Sequence, residues 1–89
     1  MSANKIGYAN VTATAGQVIK AGPAGLFGIV STVTGGACTI YDNASAASGN
    51  ILFTKTLAVG DVIHFGGNGI AANNGLFIVV TGTVNVMFT

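Results

Sequence analysis

The chain has 89 residues, 51% of them hydrophobic and 6% charged, with a formal net charge of +1, against roughly 25% charged residues in an ordinary soluble domain. Lysine alone supplies the positive charge and is scattered, so there is no electrostatic footprint for nucleic acid and no polybasic patch for a membrane surface. Asp42, Asp61, His64 and Cys38 are almost the whole acid, base and nucleophile inventory, which argues against an enzyme.

Residues 1–89 read as a single β domain, with residues 1–4 as a possible flexible arm. Met1–Lys5 is polar and no apolar signal-peptide core follows it, so synthesis in a cytoplasm without general export is expected. From there the apolar residues recur with a period of two. Val, Ile, Thr, Phe and Tyr abound, and Gly or Asn clusters return about every eight to twelve residues. The pattern predicts an all-β fold, a small antiparallel β-sandwich of jelly-roll or Greek-key kind with about seven to nine short strands.

In chain order, strands are predicted near 5–14 and 17–21, then a turn at Ala21-Gly22-Pro23. Strands near 26–34 and 37–42 flank a turn at Thr34-Gly35-Gly36, and Ala44–Ser48 reads as a loop. A strand at 51–57 leads to a turn at Val59-Gly60-Asp61 and a strand at 61–65. Gly66-Gly67-Asn68-Gly69, a short strand at 70–72 and a turn at Asn73-Asn74-Gly75 come next. Strands at 76–82 and 84–88 are joined by a hairpin at Thr81-Gly82-Thr83. The run Leu76–Val80 is the longest uninterrupted apolar stretch, far short of a membrane span.

Gly25-Leu26-Phe27 and Gly75-Leu76-Phe77 each open an apolar strand that meets a glycine turn, so two similar hairpins stacked as opposite sheets are one expectation. Both faces of these strands are apolar: Leu26 and Val30 against Phe27 and Ile29, Leu76, Ile78 and Val80 against Phe77 and Val79. A strand buried on both sides needs a covering loop or a neighbouring subunit. Mass scaling gives a folded surface of roughly 4,800 Å², with only Lys5, Lys20, Asp42, Lys55 and Asp61 to charge it. Both observations predict self-association, and Val79→Asp is expected to abolish it.

No catalytic, cofactor-binding or metal-ligating set emerges, and no cofactor is expected. Cys38 shares a face with Ile40 and reads as a buried thiol filling space. Asp42 and Asp61 sit in separate turns, where each is expected to hydrogen-bond its own backbone. Asp42, Asn43 and Asn50 could supply oxygens to a calcium ion, although their spacing matches no calcium loop. His64 reads as a hydrogen-bonded structural histidine, with a pH-sensitive subunit contact as its sharper alternative. The Gly66–Gly69 segment has no Lys-Ser/Thr after it and is not a phosphate cradle.

The stretch Ile19-Lys20-Ala21-Gly22-Pro23-Ala24-Gly25-Leu26, then Thr39-Ile40-Tyr41-Asp42-Asn43, then Gly75–Thr83 together resemble small β-rich virion proteins of tailed bacteriophages. The resemblance lies in strand-and-turn texture over residues 11–88 and carries no functional motif, so no site residue is transferred. It implies a capsid decoration, or cement, subunit of the virion. Such a subunit is assembled in the host cytoplasm as a homotrimer and partnered by the major capsid protein or other virion proteins. It stabilises the mature head by bridging capsomers. A fibre, tail accessory or receptor-binding module is the alternative, and a non-viral self-assembling or carbohydrate-binding β domain a further one. Exposed Tyr8 or Tyr41 beside Asn-rich loops would mark the receptor-binding case.

Overall fold

Seven antiparallel strands form in a computed structural model that describes residues 6–67 and 69–89. They are β1 (Gly7–Ala21), β2 (Ala24–Ser31), β3 (Gly36–Tyr41), β4 (Ile51–Leu57), β5 (Val62–His64), β6 (Ile70–Ala72) and β7 (Gly75–Phe88). The all-β expectation holds. The arm expected at residues 1–4 and Asn68 of the glycine turn lie outside the described residues.

Two strands are far longer than the period-two pattern suggested, because neither breaks where Gly16 or Gly82 stands in the sequence. The expected strands 5–14 and 17–21 are one strand, β1, of 15 residues, with pairing irregularities between Thr12 and Lys20. The hairpin expected at Thr81-Gly82-Thr83 is absent, since β7 runs through it from Gly75 to Phe88. β7 is the spine of the sheet. β1 follows its whole length on one side, while β2 pairs with Val84–Phe88 and β3 with Phe77–Val80 on the other.

Since β2 and β3 both run antiparallel to β7, the chain between them does not reverse. Thr34-Gly35-Gly36 is a corner, and the two stacked hairpins expected from the sequence do not exist. At this corner Thr32 N donates to Thr83 O (3.0 Å) and Thr83 N donates to Thr34 O (2.9 Å). Ala37 N donates to the Thr81 hydroxyl (2.9 Å). Strands that bend through a corner let one sheet serve as both layers around a core. One half holds β4, β3 and the front of β7; the other holds β2, β5, β6 and the back of β7. The pairing therefore draws one curled antiparallel sheet of seven strands.

Both halves feed the same core. Ile40 and Cys38 of β3, Leu26 and Ile29 of β2, Leu57 of β4 and alternate residues of β7 belong to one buried cluster. Phe53 on β4 and Phe65 just after β5, at opposite ends of the strand order, meet edge to face with ring centroids 5.6 Å apart. That geometry adds about 1 kcal/mol beyond area burial and closes the curl through side chains where no backbone ladder does. Cys38 lies in this core beside Ile40, and burial pushes its thiol up to about 11, so it is a space-filling group with no thiolate at neutral pH.

Ser31 also faces inward, across from Val84, and its buried hydroxyl has no hydrogen-bond partner. An unsatisfied buried hydroxyl costs stability, and an apolar replacement removes that cost. Ser31→Ala is expected to raise the stability by about 1 kcal/mol, read as a higher urea midpoint. A lower midpoint would show that the hydroxyl has a partner in solution.

Candidate functional site

The residues with chemistry to offer are each occupied by the fold. Asp42, only 7% exposed, does not start its own turn as expected. Its carboxylate reaches across to the β6–β7 turn and accepts from Asn74 N (2.8 Å), Asn73 N (3.2 Å) and Gly75 N (3.3 Å). The local Asx role belongs to its neighbour. Asn43 Oδ1 accepts from Ser45 N (2.9 Å) and Ala46 N (3.0 Å), while its Nδ2 donates to Ser48. The oxygens proposed for calcium are thus spent on backbone donors, as is the Asn50 carbonyl, which accepts from Asp42 N (2.8 Å).

The backbone hydrogen bonds, that from Asn74 foremost, hold the Asp42 carboxyl below its ordinary value of 3.8 against an opposing effect of burial. A carboxylate whose folded pKa is depressed contributes stability that is complete above its unfolded pKa and lost as pH falls through the folded one. Asp42→Asn is therefore expected to lower the melting temperature at neutral pH. The gap from wild type should shrink as pH falls below about 4. A gap that stays constant through acid titration would contradict the clamp.

Asp61 behaves as the sequence predicts: its Oδ2 accepts from Ala58 N (2.9 Å), and Asp61 N donates to Ala58 O (3.0 Å). Gly60 completes this turn at φ 90°, where a side chain would be strained. His64, expected as a hydrogen-bonded structural histidine, stands exposed on β5. Among the described residues no three of His, Cys, Asp or Glu gather where they could share a metal ion, and no helix is long and apolar enough to cross a membrane.

What the fold assembles is surface. Cross-strand partners share a face, so the registers build rows that the linear sequence conceals. On the outside of one half, Val18, Phe77, Tyr41 and Ile51 line up across β1, β7, β3 and β4. Beside them run Val79, Thr39 and Thr54, with the two threonine hydroxyls 3.0 Å apart. Phe77 is only 8% exposed here. Gly16 leaves room for its ring, since a Cβ there would lie 2.6 Å from Phe77 Cζ. Much of the second apolar face of β7 is thus covered within one chain, where a neighbouring subunit had been expected to do it.

On the outside of the other half the rows are Tyr8, Met87, Gly28 and His64, then Asn10, Asn85, Val30 and Val62. Asn10 Nδ2 donates to Asn85 Oδ1 (2.8 Å) and ties β1 to β7 on this face. Tyr8 is 73% exposed. With Asp42 buried, the described charges that reach solvent are Lys20, Lys55 and Asp61, on a surface of 4659 Å². No family model, curated protein or solved structure matches the chain.

Proposed function

We propose that this chain is a virion structural subunit of the capsid-decoration kind, acting by laying an uncharged sheet face against copies of itself and the major capsid protein. The observation that supports this reading is the pair of outer sheet faces, whose rows of Val, Tyr, Thr and Asn carry almost no charge. Covering such a face costs little in charge desolvation and recovers about 25 cal/mol for each Å² of apolar surface. One side of a standard interface occupies about 800 Å², a patch that this charge density can leave wholly neutral. A subunit that binds the mature lattice and not its precursor stabilises the lattice by mass action. It needs many weak, flat contacts and no pocket. The resemblance to small phage virion proteins adds the homotrimer and the bridging of capsomers to this reading.

A receptor-binding or fibre module is the second reading, favoured by Tyr8 standing exposed beside Met87 and the Asn10–Asn85 amide pair. An amphipathic ring next to paired amides suits a sugar, whose apolar face stacks and whose hydroxyls hydrogen-bond. Copy number decides between the two. Quantitative mass spectrometry of particles of the phage that encodes the chain should find it in hundreds of copies. A few copies per particle, with glycan binding lost in Tyr8→Ala, would transfer the assignment to the second reading. Absence from particles would overturn both.

A further inference from the structure

We infer that the edge of β1 over Gly7–Thr12 pairs with the same segment of a second copy, antiparallel and about a two-fold axis, so that the sheet continues from one subunit into the next. The inference rests on the self-association in the proposed function and replaces its homotrimer with a two-fold pair, because an isologous contact closes at two copies.

A strand at the edge of a sheet offers a row of unpaired backbone donors and acceptors to any other chain, and proteins ordinarily blunt such edges. Among the described strands every edge but one is blunted. β4 carries Lys55 in its middle, and β5 and β6 are three residues long. β1 is 15 residues long and, among the described strands, pairs with β7 alone. From Gly7 to Ile19 it has neither a charged residue nor a proline. Its only irregularities are the register shifts after Thr12, and these confine regular pairing to Gly7–Thr12. Six residues are the length of an ordinary paired strand.

The pleat restricts how two such edges meet. Tyr8, Asn10 and Thr12 are exposed on the outer face, whereas Ala9 and Val11 point to the core side. Opposed residues of an antiparallel pair point to the same face, so the axis must pass through a residue and not between two. An axis at Asn10 sets Tyr8 opposite Thr12 of the second copy and Ala9 opposite its Val11. It also brings the two Asn10–Asn85 amide pairs side by side. Identical uncharged strands meet in this way without like-charge repulsion, and an isologous contact closes on itself. Ile6 just before the segment and Tyr8 within it, 54% and 73% exposed, gain cover from the second copy.

The test uses Asn10→Lys and Asn10→Asp in the full chain, alone and mixed, with sedimentation equilibrium and native mass spectrometry. Asn10 is exposed, so circular dichroism should show both variants folded. Wild type should dimerise. Each variant alone places like charges opposite one another and should dimerise roughly fivefold more weakly. In the mixture, heterodimers should exceed the statistical half. Weakening without that heterodimer preference would overturn the two-fold at Asn10. A trimer unchanged in both variants would overturn the edge contact and leave the decoration reading to its copy-number test. A wild-type monomer would likewise overturn it, including the case in which the edge captures a strand of another virion protein.

Discussion

Gly82→Ala should destabilise the protein by about 3 kcal/mol, the upper end of the usual cost of forcing atoms into a packed interior. Gly82 is buried where β7 turns the corner. A Cβ there would run into the carbonyl oxygen of Thr34 and lie 2.8 Å from both the carbonyl carbon and oxygen of Gly35. All of these are backbone atoms, so no side chain can rotate away. The backbone itself is pinned by the hydrogen bonds from Thr32 N and Thr83 N. Gly35 stands under the same constraint, with a notional Cβ 2.5 Å from Leu57 O. A domain of this length has a total stability of about 4–13 kcal/mol, so the loss should lower the melting temperature by roughly 15 °C. Gly67→Ala is the control, because a Cβ at Gly67 meets nothing within 4 Å. Equal melting temperatures for the two variants would show that the corner is looser than described.

Ile78→Ala should cost about 4 kcal/mol, while Val79→Ala, one residue along, should cost less than about 1 kcal/mol. Ile78 is fully buried between β1 and β3, opposite Gln17 and Ile40. Its truncation leaves a cavity in a core shared by both halves of the sheet. Val79 points to the outer face and is half-buried beside Thr39. Urea titration of both variants measures the difference directly. Similar losses at the two positions would mean that the outer face is as tightly covered as the core. The same alternation revises the expectation for Val79→Asp. Folding is most sensitive to a charge at Ile78, and a charge at Val79 bears on whatever covers the outer face.

The candidate surfaces were less legible in the sequence than the fold was, for a reason the strand registers make plain. Tyr8, Met87 and His64 are far apart in the chain and fall in one cross-strand row only because β1 and β2 both pair with the end of β7 and β5 pairs with β2. Alternation shows that each is on one side of its strand, but not which residue of another strand stands beside it. The edge of β1 was equally hidden, since an edge is a property of the whole sheet.

Asp42 shows the same limit for a single side chain. Its position after Tyr41 announces an Asx turn, yet its partners are 31 to 33 residues away, and the turn is made by Asn43. Only the docking of the β6–β7 turn beside the end of β3 tells which of the two side chains is free to cap its own loop.

By itself the sequence determined the period-two strands, the inward pairing of Cys38 with Ile40, the turn at Gly60-Asp61 and the scarcity of surface charge. Each of these depends on a residue's own chemistry or on neighbours two or three positions away. The tertiary structure decided what the glycines at 35, 36 and 82 are for. Glycine serves equally where φ must be positive and where two backbones must touch, and none of these three adopts a positive φ. They are small because backbone from another part of the chain lies against them.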